Sequence, residues 1–210
     1  MSAKNYESIY KMIYDAAGRY EIPSIEPCSF DESKVDKWIP FNYAMSESKK
    51  DVSNVGVQFF VDDYQFERLW NNTDRYLPVL SQFAYVLSPD FSMFTDFPMA
   101  LQIYNHYRKH WIAAYLQQVD INVIPTIAWS DERSYDFCFD GEPIGGTVAV
   151  CSTGCLNSKR KTDLFLNGYN EMLERLKPTG IIFFGKIPEG CEGNIIPVKT
   201  FADTRFTKEK

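Results

Sequence analysis

Short apolar runs alternate with amphipathic stretches along most of this chain. From residue 55 onward, runs typical of strands are followed at least three times by segments whose apolar positions recur every three or four residues, as in helices. The strand-like runs are 38–44, 55–61, 83–87, 121–129, 134–139, 147–151, 181–184 and 194–198. This order predicts a mainly parallel sheet with helices packed outside it.

Four helices follow from the spacing of apolar residues. The first three carry Tyr6, Ile9, Tyr10, Ile13 and Ala17, then Phe66, Leu69 and Trp70, then Ala100, Ile103, Tyr104, Tyr107, Trp111, Ala114 and Tyr115. The fourth carries Phe165, Tyr169, Met172, Leu173 and Leu176, with Thr162 or Asp163 as its expected N-cap. The polar residues of the third helix, His106 and His110 among them, lie off its apolar stripe and are expected on its outer flank.

With a further strand near Ile25 the candidates number nine, about the eight that a (β/α)₈ barrel needs. We therefore predict a compact, degenerate TIM-like (β/α) barrel; the alternative is an open, mainly parallel sheet with flanking helices. The 210 residues are expected to form a single α/β domain. Within it, 1–50 is an N-terminal helix and connector, 51–201 the core, and 202–210 a polar tail.

Charge and composition exclude several classes of protein. The chain has 22 Lys and Arg against 28 Asp and Glu, a net charge of −6, and its basic clusters at 108–110 and 159–161 are short. Binding to duplex nucleic acid is therefore disfavoured. Membrane and secretory classes are disfavoured because no long apolar run and no signal peptide is found. We expect a cytoplasmic protein with five reduced cysteines and, by default, a homodimer.

Polar residues follow the strand-like runs, where parallel strands of both architectures present their ligand sites. Asp90, in a loop not needed to start a helix, and Asp136 are the candidate acid/base residues. Arg108 is a candidate anion partner, although pairing with an acid is its commoner role. The remaining candidates are Phe91, Trp129, Tyr135 and Phe137 as a wall of rings, and Ser152, Thr153 and Gly154 as a turn that cradles a phosphate.

The acids and the two histidines of the chain bear on metal and nucleophile chemistry. Converging carboxylates could hold Mg²⁺ or Mn²⁺, and the candidates are Asp62, Asp63, Asp131 and Asp140. No fixed ligand spacing supports such a site, so helix caps and a solvated acidic loop are the alternative. The two histidines, four residues apart and outside any His-Glu-x-x-His pattern, disfavour hydrolase chemistry.

Several of these motifs together resemble a known family, described only as domain of unknown function 4417 and found in bacteriophages, plasmids and other mobile elements of bacteria. The motifs are Phe59-Phe60-Val61-Asp62-Asp63, Ser88-Pro89-Asp90-Phe91-Ser92, Ala100-Leu101-Gln102-Ile103-Tyr104-Asn105, Tyr107-Arg108, Val123-Ile124-Pro125-Thr126, Tyr135-Asp136-Phe137-Cys138-Phe139-Asp140-Gly141 and Gly154-Cys155. The resemblance is expected to extend over about two-thirds of the chain. The resemblance implies a mobile-element origin and a bacterial cytoplasm, and it implies no reaction.

Two functions remain open. In the first, the protein binds and processes a small phosphorylated or nucleotide-like ligand at the carboxyl ends of its strands. In the second, a non-catalytic anti-defence protein inhibits or sequesters a host component through an acidic, aromatic surface. The two functions differ in whether the protein is an enzyme.

Overall fold

The computed structural model describes residues 14–198. Outside the described residues lie the predicted polar tail at 202–210 and the predicted first helix with Tyr6, Ile9, Tyr10 and Ile13. Ala17, the last residue predicted for that helix, is described and belongs instead to a two-residue strand.

The described chain forms a mixed α/β fold. Its strands are β1 (Ala16–Ala17), β2 (Ile22–Pro23), β3 (Lys37–Pro40), β4 (Val55–Gln58), β5 (Tyr85–Leu87), β6 (Val123–Ile124), β7 (Thr147–Cys151), β8 (Gly180–Phe184) and β9 (Ile195–Val198). Its α-helices are α1 (Phe41–Glu47), α2 (Glu67–Asn71), α3 (Leu77–Leu80), α4 (Met99–Gln118) and α5 (Lys159–Leu176). Short 3₁₀ helices lie at Glu32–Lys34, Asp63–Gln65, Thr73–Arg75 and Glu132–Asp136.

Seven of these strands are parallel and pair in their order along the chain. β3-β4-β5-β6 form one sheet and β7-β8-β9 another, and a parallel bridge between Thr126 and Ala149 links the two. β1 and β2 form a separate antiparallel pair. The sheets do not close, so the described residues show mainly parallel sheets with flanking helices, and the predicted TIM-like barrel is not shown.

The strand sequences explain why the sheets are buried. β4, β7 and β8 read VGVQ, TVAVC and GIIFF, and nearly all of these residues are buried. Parallel strands covered on both faces have such continuous apolar runs. Side chains also meet across the two sheets, because the Phe184 ring lies 5.7 Å from that of Trp38 and 4.7 Å from that of Phe60. The carboxyl ends of β4 and β8 are therefore neighbours.

Three local predictions are wrong for identifiable reasons. The strand predicted at 38–44 ends at Pro40, whose missing N–H stops the ladder, and α1 begins at the next residue. The strand predicted at 134–139 is a 3₁₀ helix, because the Asp131 carboxylate accepts the Arg133 N–H at 3.1 Å and favours a local turn. Helix α5 begins earlier than predicted, with the Ser158 hydroxyl as its N-cap.

Gly168 marks the closest approach between α5 and the Trp129 ring. A Cβ on Gly168 would lie 2.2 Å from Trp129 Nε1, and that ring also packs on Phe165. Alanine normally stabilises a helix interior by about 1 kcal/mol relative to glycine. Here we expect Gly168→Ala to destabilise the fold by about 1–3 kcal/mol in urea unfolding, because the packed ring has to move. Asn170→Ala, on the exposed side of α5, is the control, and a Gly168→Ala variant as stable as the wild type would contradict the expectation.

Candidate functional site

The candidate site begins where β5 and β6 end. The Ser88 hydroxyl accepts the Thr126 N–H at 2.8 Å, and the Thr126 hydroxyl donates to the Ser88 carbonyl at 2.9 Å. These two bonds are buried and hold the two strand ends together. They fix the start of the loop that carries Asp90.

The Asp90 carboxyl is half-buried and lies among charged and thiol groups of neighbouring strand ends. Burial raises its pKa to about 7, against the lowering effect of the Lys109 cation and with a further rise from Asp63. The charge of Asp90 in turn adds to the burial that raises the pKa of Cys151 to about 11. No described residue donates a hydrogen bond to this carboxylate, so it is a group able to exchange a proton near neutral pH.

The turn after β7 carries Cys155, whose pKa is raised by burial and, in addition, by the charge of Asp90. The buried Ser152 hydroxyl donates to the Lys186 carbonyl at 2.6 Å and ties the turn to the end of β8. Thr153 is exposed, and Gly154 has φ +81 with open space where a Cβ would lie. A left-handed residue with free space beside it is suited to close approach of a ligand.

The predicted anion partner and the predicted rings lie elsewhere. Arg108 is buried and donates to both carboxylate oxygens of Glu67, at 2.7 and 2.9 Å. Its guanidinium stacks 3.7 Å from the centre of the buried Phe91 ring. Trp129 packs on α5, and Phe137 is fully buried in the core beside it. The described structure therefore does not gather these rings into one wall.

Tyr135 faces a separate groove. Together with one side of α5, its segment lines a cavity of about 600 Å³, formed by Asp131, Glu132, Arg133, Tyr135, Leu164, Asn167, Asn170 and Glu171. Burial raises the pKa of Tyr135 to about 12, so its hydroxyl keeps its proton at neutral pH. Asp90 is not among the residues of this groove.

The second predicted acid/base residue, Asp136, differs from Asp90 in its exposure and in its charged neighbours. Its carboxylate is 71% exposed and pairs with Arg19 at 3.4 Å, whereas the charged neighbours of Asp90 are Lys109 and Asp63. Such an exposed pair contributes little to stability and leaves the pair in water. The two carboxylates are therefore not brought together.

No three of the four acids predicted as metal ligands converge on one point within residues 14–198. Asp63 accepts the Ser92 hydroxyl at 2.8 Å, and Asp131 pairs with Arg133 at 2.7 Å. Asp62 is exposed, and Asp140 is half-buried in the loop after the Glu132–Asp136 turn. Within residues 14–198, the group of three metal-ligating side chains that does converge is a different one: His106, His110 and Glu142.

The two histidines of that group lie on the face of α4 that the sequence predicts to point outward. His106 and His110 are 2% and 0% exposed, while Tyr104 of the expected apolar stripe is 38% exposed. His110 Nε2 lies 3.0 Å from Glu142 Oε1, which also accepts a hydrogen bond from Lys109. The Lys109 ammonium donates in addition to the Thr126 carbonyl at 2.9 Å, so it connects this cluster with the strand ends.

More of the polar face of α4 is buried and bonded to backbone. The Gln102 amide donates to the carbonyls of Phe94 and Phe97 at 3.1 and 3.0 Å, and the Asn105 amide donates to Ser92 at 2.6 Å. The helix contributes the side chains that hold the loop after β5 in place.

A signal for this burial is present in the sequence. Residues 102, 105, 106 and 109 are polar at the spacing of one helix face, and α4 contains neither Asp nor Glu along its 20 residues. A solvated helix normally mixes acids with bases. A stripe of amides, imidazoles and lysine without acids is typical of an internal polar network.

Comparisons with known proteins agree with the motifs. The model of the family described as Domain of unknown function (DUF4417) matches residues 14–202, and so extends nearer the N-terminus than the motifs do. A relative is the "Gene 1 protein" of Mycobacterium phage L5, 36% identical over 187 residues, which are 89% of this chain and 80% of that protein. Another is the "Gene 1 protein" of Mycobacterium phage D29, 35% identical over 191 residues, 91% of this chain and 70% of that protein.

No solved structure matches this chain. Among the helices of residues 14–198, none has the length and apolar character needed to cross a membrane. The family match covers most of the chain, and two phage proteins share more than a third of the aligned residues. This chain therefore belongs to the DUF4417 family.

Proposed function

We propose that this protein binds a small phosphorylated or nucleotide-like ligand at the carboxyl ends of its parallel strands and moves a proton on it through Asp90. The observation that carries the proposal is the state of Asp90. Its carboxyl is half-buried, receives no hydrogen bond from the described residues, and has a pKa raised to about 7 by burial. A structural carboxylate is normally paired, and an unpaired one with a pKa near 7 is typical of an acid/base group.

The position of Asp90 also supports a ligand site. It follows β5 in a loop held by Asp63 and Asn105, both of which bond to Ser92. The charge of Asp90 acts on Cys155 of the turn after β7, in addition to the burial that raises the pKa of this thiol, which supports a site shared by the loop and the turn. Ligands of open parallel sheets bind outside the carboxyl ends of the strands. The sequential order of the strands is also the order within a (β/α) barrel, whose mouth would be at this face.

The phosphate would be bound by the Ser152–Gly154 turn. This turn precedes α5, whose first residues Lys159, Arg160 and Lys161 are basic and exposed. A turn with free space at Gly154, followed by basic residues, suits an anion. Arg108 is left out of this role because Glu67 already occupies its guanidinium. Asp136 is left out because its carboxylate is exposed and pairs with Arg19.

Ligand binding before and after a negative charge is introduced at Thr153 tests the proposed ligand class. We expect a rise in melting temperature with at least one of AMP, ADP, ATP and ribose 5-phosphate, since a ligand of the folded state stabilises it. Thr153→Glu should lower the affinity at least about tenfold by placing a negative charge beside the phosphate. Thr153→Gln is the control of similar size and should bind like the wild type. No response to any of the four compounds, or an unchanged response in Thr153→Glu, would refute the ligand class.

The phage relatives support the setting in which this ligand would be met, the cytoplasm of a bacterial cell carrying the element. A host protein as partner is the competing outcome. Binding through the acidic surface would weaken steeply with added salt and would not respond to the four compounds.

A further inference from the structure

We propose that His106, His110 and Glu142 bind one first-row transition-metal dication of the Zn²⁺ or Fe²⁺ type. The three side chains come from α4 and from the loop before β7, and one ligand atom from each lies within 4.8 Å of the others. Two imidazoles and one carboxylate form a common ligand set for these ions, whereas Mg²⁺ and Ca²⁺ prefer oxygen alone. This site is separate from Asp90, so the inference goes beyond the proposed function.

The hydrogen bonds of the two imidazoles determine which nitrogens are free. His106 Nε2 lies 3.0 Å from the Asp140 carbonyl oxygen, and His110 Nδ1 lies 2.8 Å from that of Pro23. A carbonyl only accepts, so both nitrogens carry the hydrogen. The neutral rings then have lone pairs at His106 Nδ1 and His110 Nε2. Metal-ligating histidines are usually held in this way, with the other ring nitrogen donating to a carbonyl or carboxylate.

Two buried atoms of the cluster have no hydrogen-bond partner among residues 14–198. These are His106 Nδ1 and Glu142 Oε2. Both are acceptors, so each lacks a donor or a cation and is costly to leave without one. The Glu142 side chain is fully buried, and its other oxygen already accepts from Lys109. Oε2 is therefore the carboxylate atom left for a metal.

The contact between His110 and Glu142 also lacks a hydrogen atom between its two acceptors. His110 Nε2, which bears a lone pair in the neutral ring, lies 3.0 Å from Glu142 Oε1. Two acceptors at this distance repel each other unless a cation or a proton lies between them. A metal ion bound by both side chains removes the repulsion and uses the lone pair of His106 as well. A proton on His110 would remove the repulsion but would leave His106 Nδ1 without a partner.

The geometry needs small adjustments only. Metal–ligand bonds of about 2.1 Å place the ligand atoms of a tetrahedral site about 3.4 Å apart. The ligand atoms of the three side chains lie within 4.8 Å of one another, so each pair has to approach by about 1.4 Å at most. The Lys109 ammonium competes for Glu142 and lowers the affinity, so the site is expected to load best while the chain folds.

Metal content is the direct test. The full-length protein, expressed in medium supplemented with Zn²⁺ and Fe²⁺, should contain close to one equivalent of metal per chain by elemental analysis. Refolding the chelator-treated protein with Co²⁺ should give the visible absorption of a cobalt ion bound by nitrogen and oxygen. His106→Gln should lower the metal content at least tenfold, because its amide can still donate to Asp140 but offers no lone pair at the Nδ1 position.

Controls separate this site from other ligands. The chain has two histidines, so no other imidazole can replace His106. Cys151→Ser and Cys155→Ser, which alter the thiols near Asp90, should keep the full metal content. Equal melting temperatures of wild type and His106→Gln in the metal-free state would show that the variant folds.

Two results would overturn the inference. Metal retained in His106→Gln would mean that other residues bind it. A wild-type protein that is isolated without metal, and takes up neither Zn²⁺ nor Co²⁺ on refolding, would mean that a proton on His110 holds the cluster together. Neither result depends on Asp90 or on the nucleotide experiment, so the two proposals fail separately.

Discussion

Asp90→Asn should raise the free energy of unfolding by about 1–3 kcal/mol at pH 8, although it removes a group proposed to act on the ligand. The reason is that the wild type has to keep an unpaired, half-buried carboxylate ionised above its pKa of about 7. Asparagine has a similar shape and no charge, so the cost disappears. Residues that weaken the fold in this way are typical of functional sites.

The pH dependence gives the sign of the effect. The carboxyl has a pKa of 3.8 as a reference and about 7 in the fold. Between these values the folded protein holds a proton on Asp90 that the unfolded chain has lost. The contribution of Asp90 to the free energy of unfolding therefore falls as the pH rises from about 4 to about 7, and it is constant above pH 7. A shift of this size corresponds to about 4 kcal/mol at most, and partial exposure to water reduces it. The gain from Asp90→Asn should therefore shrink steadily between pH 7 and pH 4.

Urea unfolding at pH 8, 7 and 6 measures this gain. Asp136→Asn is the matched control, because its carboxylate is 71% exposed and its replacement should change stability by less than about 0.5 kcal/mol at every pH. A destabilised Asp90→Asn variant at pH 8, or a gain that does not vary with pH, would contradict the assignment of Asp90 as an unpaired carboxyl.

Glu142→Gln should have the opposite and larger effect, a loss of about 3–5 kcal/mol. The Lys109 ammonium is 4% exposed, and the Glu142 carboxylate beside it is 0% exposed. Removing the negative charge leaves the ammonium buried without a counter-charge, which is among the most destabilising single changes in a protein interior. Thermal and urea unfolding of the metal-free protein measure the loss.

Glu67→Gln is the comparison for this prediction. It also removes the carboxylate partner of a buried cation, Arg108, but Glu67 is 39% exposed and water can solvate the vacated side. We expect a loss clearly smaller than that of Glu142→Gln. Equal losses would mean that burial of the pair does not determine the cost.

Much of the fold could be predicted from the sequence. β4, β7 and β8 are apolar runs that only a buried strand accommodates, and α5 has one clear apolar stripe. Their alternation predicted mainly parallel sheets. Whether the sheets close into a barrel could not be predicted. Closure depends on pairing between strands at the sheet edges, and no sequence pattern identifies such pairs. The turn at Glu132–Asp136 was missed because a capping side chain outweighs an alternating pattern.

The candidate site was predicted in part. Asp90 stood out in sequence as a loop acid that caps no helix, and it is the carboxyl whose pKa is raised to about 7. Arg108 and Phe91 were predicted to face a ligand, and they instead stack on each other at 3.7 Å. Their partners, Glu67 among them, come from segments far apart in the chain, and no local pattern identifies such pairs.

The sequence by itself indicated the family and the mainly parallel sheets with flanking helices, because both depend on local spacing and on motifs. Only the tertiary structure decided that the polar face of α4 is buried, together with Trp111 and Ala114 of the predicted apolar stripe. A helix with tyrosines on one side and amides, imidazoles and lysine on the other can turn either side inward. Tyrosine tolerates partial exposure, and buried polar groups are acceptable once carbonyls and carboxylates meet them. Those partners at Pro23, Ser92, Thr126, Asp140 and Glu142 come from the surrounding loops and strand ends, so the direction of the helix is a property of the whole fold.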